Sequence, residues 1–513
     1  MLVQAMLPVY VEPEEPTVMM SALFTGATGL VTHGKGMKTV TNNLANVNTV
    51  GFKQTMMLYS DLTSQYQPAP SNYMTNISQK GLGVQAGATR TVFTQMAFEK
   101  GSEATDLGIS GRGFFGVTKD GVTQYTRAGN FRFTKDGALV DPNGWTVMGR
   151  AINNGVEAST PTPIQLDLSS NGANYMPAKA TSAITATSQL GGMENKSDDP
   201  NNPFFAMLSG WDATAESPLG TGQYSYREAL EYYDSTGESR TAYIYYDQAG
   251  VSNGRTVMEY VVAMDPAEDA SGRGGLLMAG TLTFGSGGHL ENVTAFTSSS
   301  GNPQDLSSWT PASLANGSPV FTITPTGGET QTISLDMGLS LSESSSAGLG
   351  SAAEAAANSA AIYSAATGAT LQARASTNYG SSPASTYQGN DGYSEGYLSN
   401  VQVDSDGIMT GIYSNGQNQD LFRVSLYRFI SEDGLNKEGK NHFSATQESG
   451  PAEEGIPGTE NYGTIADYSL EQSNVDYARE FTTMIITQRG FQMNSKVVTT
   501  ADQMLQKALE LKR

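Results

Sequence analysis

The sequence predicts a mainly β chain with α-helical termini. It is a discontinuous multi-domain chain in which the N- and C-terminal helices pair and β-domains are inserted between them. Three observations carry this reading. Apolar residues recur at every seventh position near both ends. Between the ends the apolar period falls to two, punctuated by Asp-Gly and Asn-Gly. The 57 glycines among 513 residues, with long Ser/Thr/Asn stretches, demand many turns.

At the first end, Leu23, Leu30, Met37 and Leu44 fall seven apart, with Val40 and Val47 three residues after the last two. At the other end, Met484, Phe491, Val498 and Leu505 are also seven apart, followed at three residues by Asn494, Ala501 and Ala508. A seven-residue apolar repeat keeps one seam turned toward a partner helix. Small residues on the second seam permit close approach. The first helix is weak by itself, because Gly26, Gly29, Gly34 and Gly36 each cost about 1 kcal/mol relative to alanine. Such a segment orders only when packed. The heptads alone fit two ordinary core helices of one domain equally well.

The β-reading rests first on residues 109–150. Short apolar stretches there are broken by Asp120-Gly121, Asp136-Gly137 and Asn143-Gly144, pairs that supply the positive φ of tight turns. Tyr243–Tyr246, Val257–Met264 and Leu277–Phe284 suggest a second β-domain. Strands resume over 395–430 around the turn Asp404-Ser405-Asp406-Gly407. Residues 341–387 are rich in Ser, Ala and Gly, and composition leaves open an Ala-rich helix or a mobile linker.

Composition bounds the function. A length of 513 residues suggests about three domains, and 38 % apolar with 9 % aromatic residues suffices to fold them. The net charge of −21 argues against nucleic acid, which needs a basic footprint. The charge is concentrated in the middle. Residues 1–60 hold three acids and three bases, and residues 470–513 hold five and six. Of 50 acids and 29 bases, 42 and 20 therefore remain for residues 61–469. Nearly neutral ends suit segments destined for burial against copies of themselves. The absence of cysteine excludes a disulfide scaffold, a thiol nucleophile and a zinc–cysteine site. Residues 1–18 do not read as a Sec signal peptide. They lack a basic start, and Pro8, Glu12, Pro13, Glu14, Glu15 and Pro16 interrupt the apolar stretch. No apolar run of about 18 residues predicts a membrane span.

Catalytic and ligand motifs fail on context. Gly111-Arg112-Gly113-Phe114-Phe115-Gly116 matches GxGxxG, but strand-like alternation and an Asp-Gly turn follow it where a helix is required. Asp404 and Asp406 open like a calcium loop, yet the closing Glu is missing at the required spacing. His33, His289 and His442 lie far apart with no nucleophile or metal spacing around them. No catalytic, metal or cofactor site is expected, and the chain is not expected to be an enzyme.

The run Asn42-Asn43-Leu44-Ala45-Asn46-Val47-Asn48-Thr49-Val50-Gly51-Phe52-Lys53 resembles the N-terminal signature of the flagellar rod and hook axial proteins. The stretch GFF…YTRAGNFRF…GALVDPNGWTVMG, starting at Gly113, resembles the first β-domain those proteins share. The C-terminal LEQSNVDYAREFTTMIITQRGFQ, from Leu470, resembles the hook members of the family, with Phe481 and Phe491 in the hook-like pattern. The likeness is strong at both ends and over 104–150 and 391–443, looser over 180–295, and absent over 341–387.

The resemblance implies a subunit of a curved, flexible tube that couples the rod to the filament and transmits torque. A distal rod protein is the alternative, and a secreted β-rich adhesin a remote one. It implies self-association into a helical homopolymer. It also implies contacts with the distal rod protein, the hook-filament junction protein, the hook cap and the flagellar type III export apparatus. The location implied is the extracellular flagellum, reached without a cleaved Sec signal. Residues expected to carry assembly are Leu23, Leu30, Met37, Leu44, Met484, Phe491, Val498 and Leu505 of the heptads. Asn46, Asn48, Phe52, Phe481 and Ile485 of the matching runs join them.

Family members usually begin near Met19 or Met20, so residues 1–18 are expected to be an extension or a misassigned start. The expected terminal helical domain joins 19–60 to 463–513, and 61–100 is expected to be a linker. An inner β-domain joins 101–155 to 388–462. One or more outer β-domains span 156–387, with a low-complexity insertion near 341–387.

Overall fold

The computed structural model describes residues 16–68, 77–168, 172–298, 300, 302–342, 348–459 and 461–511. Most of the expected extension, residues 1–15, lies outside them. The chain is mainly β, with long helices at Pro16–Ala45 and Tyr477–Leu511. It forms two compact units. One comprises residues 1–174, 398–412 and 418–513, and the other residues 175–397 and 413–417. The first unit thus runs to 174 where the sequence reading placed a boundary at 155, and resumes at 398 where it placed 388.

In the first unit the two terminal helices run antiparallel. The N-terminal helix also carries a β-hairpin, Thr55–Asp61 against Val84–Thr91, with Thr55 opposite Thr91 and Asp61 opposite Val84. The hydroxyl of Thr32 donates to the carbonyl of Val84 at 3.2 Å, and Asn43 brackets Thr55 through both its side-chain amide and its carbonyl. The expected linker over 61–100 is corrected by these strands. Gln65–Pro68 pairs with Ile77–Lys80, and Phe98–Lys100 pairs with Ser469–Glu471. Val84, Ala86 and Ala88 are the apolar positions of Val84–Thr91, too small to mark a strand in the two-period reading.

The β-part of this unit is a sheet with strands in the order Ile408–Tyr413, Asn418–Val424, Thr146–Asn153, Phe114–Lys119, Val122–Thr126, His442–Ser444 and Asn436–Gly439. Asp120 and Gly121 both take positive φ between Lys119 and its partner Val122, the geometry of a two-residue hairpin turn. Phe115 and Phe131 meet edge to face at 5.1 Å in a core with Leu107, Val117, Val147 and Val424.

The second unit is built on an antiparallel six-stranded sheet: Tyr226–Tyr233, Ser239–Ser252, Arg255–Met264, Leu276–Phe284, Leu290–Ser298 and Trp309–Pro311. One face packs on a five-stranded sheet through Tyr232, Tyr246, Tyr260, Leu282, Phe321 and Ile333. The other face is covered by short helices, with Phe205, Phe296, Trp309 and Ile362 between the layers. Leu276–Phe284 is buried at every position for that reason, Thr281 and Thr283 included.

The Ser/Ala/Gly-rich stretch supplies part of this cover. Ser351 caps the helix Ala352–Ala357, a second turn of helix spans Ser359–Ile362, and Ala352, Ala355 and Ile362 are fully buried. Thr370–Leu371 then pairs with Leu339–Ser340. Residues 343–347 lie outside the described residues. The choice left open between helix and linker resolves into two short packed helices, because alanine brings little volume and the sheet supplies the apolar surface.

Candidate assembly site

The terminal helices meet through notches. A Cβ at Gly26 would stand 2.9 Å from Val498, at Gly29 2.6 Å from Asn494, and at Gly490 2.8 Å from the ring of His33. Thr487 faces Gly36, and the side chain of Asn43 reaches Glu480. These pairs lie on one antiparallel register. Gly26, Gly29 and Gly490 each admit a larger side chain from the other helix, and Gly36 admits the Tyr59 hydroxyl of the hairpin, so the backbones approach closely. Asn494 is held in place by donating to the carbonyl of Gly490 at 2.9 Å.

The burial pattern shifts the expected seam on the N-terminal helix. Its buried residues are Gly26, Gly29, Thr32, Gly36, Val40 and Asn43, whereas Leu23, Leu30, Met37 and Leu44 are half-buried beside that face. On the C-terminal helix Met484, Val498 and Leu505 are half-buried around buried Thr487 and Ala501. Phe481, Ile485 and Phe491 are exposed, and Phe481 stacks on Tyr477. Three of the four glycines therefore form contact surface; only Gly34 faces open space. Their spacing was visible in the sequence, but an apolar-heptad search assigns glycine no place.

Beyond the N-terminal helix, Asn46 donates to the carbonyl of Asn42 and accepts from Thr49, while Asn48 is exposed. Phe52 is buried beneath the Lys437 ammonium, 5.3 Å from the ring centroid. Next to it lies a group that the expected residues did not include. Lys53 and Glu471 are fully buried and paired at 2.6 Å. Glu471 also accepts from the amide of Met96 and from Arg127 at 3.4 Å, and Lys53 donates to the carbonyl of Thr94. Burial pushes the Lys53 ammonium below its usual range, and Glu471 pulls the other way. Asn474 donates to the carbonyl of Val92 and accepts from the amide of Gln54.

The cluster thus locks the segment leaving the first helix to the segment entering the last one. Its signal was the lysine closing the GFK run and the glutamate second in LEQSNV, two opposite charges far apart in sequence.

The outer faces of both helices expose apolar side chains. Phe24 is 64 % exposed, Ile486 64 % and Met493 68 %. Exposed apolar rows of this kind mark association surfaces. Among the described residues no group of three or more His, Cys, Asp or Glu could hold a metal, and no helix is long and apolar enough to cross a membrane.

Comparison with known proteins places these features. Four family descriptions match: flagella basal body rod protein over 23–53, flagellar hook protein FlgE/F/G D1 domain over 108–180, flagellar basal body protein FlaE D2 domain over 208–393, and flagellar basal body rod FlgEFG protein C-terminal over 466–511. The chain is 31 % identical to the flagellar hook protein FlgE of Borreliella burgdorferi, covering 96 % of this chain and 100 % of that one. It is likewise 31 % identical to the FlgE of Treponema pallidum, over 96 % and 100 %. A crystal structure of Helicobacter pylori flagellar hook protein FlgE2 aligns with TM-score 0.43 at 13 % identity, over 73 % of this chain and 100 % of that one.

Proposed function

This chain belongs to the flagellar hook protein family, and from that premise we propose how it works as a structural subunit of the hook. Copies join through the paired terminal helices into a helical polymer. The apolar outer faces of the helices supply the contact between copies. A head-to-tail contact whose rotation does not close on itself builds a filament of this type.

The observation that carries this reading is the pairing of the two chain ends beside exposed Phe24, Ile486 and Met493. The tube bends if the contacts between its outer units stay polar and wet, and the acidic, Ser/Thr/Asn-rich middle supports that. The distal rod, the hook-filament junction protein, the hook cap and the type III export apparatus are the partners we propose. Export would proceed without a cleaved Sec signal, and the subunit would carry no catalysis.

Electron microscopy of assembled material tests the reading. Curved tubes are expected; straight rods would favour the distal rod protein instead.

A further inference from the structure

Where the terminal helices meet the hairpin strand Thr55–Asp61 they leave a cavity of about 200 Å³. Gly36 and Val40 wall it from one helix, Glu480 and Thr483 from the other, and Thr55 and Tyr59 from the hairpin. Glu480 is only 8 % exposed, and its Oε2 has no hydrogen-bond partner among the described residues. Burial pushes its carboxyl up, against the pull of Asn43 and Arg479, and Asp476 one turn earlier adds to the rise. Arg479 lines the mouth but is exposed and makes no ion pair with Glu480. Neither the N-terminal helix nor the hairpin brings a charged side chain to the walls. A buried acceptor without a donor costs about 1–3 kcal/mol, and more when ionised.

We infer that this cavity receives a lysine ammonium from a neighbouring copy, with Glu480 as its counter-charge. The inference rests on the assembly reading above. Charge selects the occupant. Lys35 and Lys38 are exposed on the N-terminal helix, and neither makes an ion pair among the described residues. No acid occurs between residues 16 and 60 to satisfy them within that stretch. An ammonium is a compact three-donor group on a flexible stem, suited to a narrow cavity whose wall hydroxyls are engaged within the chain, Thr55 by Lys437 and Thr483 with the carbonyl of Arg479, leaving Glu480 as the charged acceptor. A water molecule, or Arg479 swung inward, would leave Glu480 without a partner from another copy.

The test mixes ¹⁴N- and ¹⁵N-labelled full-length chains, assembles them, and treats the filaments with a carbodiimide that joins carboxylates to amines in contact. Mass spectrometry of the digest should find Glu480 joined to Lys35 or Lys38 across differently labelled copies, and not in unassembled protein. Glu480→Gln should raise the critical concentration about tenfold, the effect of losing one charge-assisted contact of about 1.4 kcal/mol. The inference is overturned if filaments yield other cross-links but none at Glu480, or only pairs within one copy. Glu480→Gln assembling at the wild-type concentration overturns it as well. If no filaments form at all, the assembly reading itself fails, and this inference falls with it.

Discussion

The imidazole of His33 lies over the bare backbone of Gly490, where a Cβ would stand 2.8 Å from both Cε1 and Nε2 of the ring. This one relationship reverses the meaning of glycine in the terminal helices. Glycine weakens each helix alone, yet it creates the space that the partner's side chain fills.

Gly34→Ala and Gly29→Ala should therefore behave oppositely. A Cβ at Gly34 meets nothing within 4 Å, so alanine should stabilise the helix by about 1 kcal/mol through propensity. At Gly29 the same change meets the Asn494 side chain at 2.6 Å and should impair assembly. Adding Asn494→Ala should restore part of the loss, read as a coupling energy in the critical concentration.

Removing residues 484–513 should abolish filament formation while the β-units still melt cooperatively. Normal polymerisation of the truncated chain would refute the paired-ends model.

Circular dichroism of the purified monomer should show little helix, with a rise on polymerisation. Gly26, Gly29 and Gly36 make the ends costly to order until contacts between copies offset that cost. Full helix in the monomer would rule out folding on assembly.

Lys53→Met should destabilise the first unit by about 3 kcal/mol, because it leaves the buried Glu471 carboxylate with Arg127 at 3.4 Å as its remaining counter-charge. Glu471→Leu should cost more, since Glu471 serves Lys53, Arg127 and the Met96 amide together. Urea unfolding of the two variants checks the order. Equal and small effects would show the pair to be dispensable.

Glu259 sets a pH dependence in the second unit. Burial raises its carboxyl to about 8 from the usual 4.5, with the Met207 amide opposing and Asp247 adding to the rise. The folded unit thus holds a proton that the unfolded chain releases. Stability is fully present below about pH 4.5, falls as pH rises toward 8, and levels off above that, with a slope of at most about 1.4 kcal/mol per pH unit. Glu259→Gln should flatten this decline in thermal melts between pH 5 and 9. An unchanged slope would place the titration elsewhere.

Much of the fold was legible because local chemistry dictates it. Asp120-Gly121 between alternating residues makes a hairpin turn, and of the C-terminal repeat Met484, Val498 and Leu505 are half-buried while Phe491 is exposed. The strands at 84–91 were not legible. Their apolar positions are only Val84, Ala86 and Ala88, too small to mark a strand, and the strand is held by Thr32 and by pairing to Thr55–Asp61. The alanine helices at 352–362 were ambiguous for a related reason, since alanine permits helix and linker equally until a sheet is there to bury it.

The sequence by itself determined the family, the β-rich middle, and the presence of helices at both ends. Runs such as NNLANVNTVGFK and the period of the apolar pattern survive without knowledge of what touches what. Tertiary structure alone decided which face of the N-terminal helix is the seam. A heptad search scores apolar side chains, while contact here depends on where side chains are missing. It also decided that Lys53 and Glu471 meet, because a buried ion pair between residues 418 positions apart leaves no local trace in the chain.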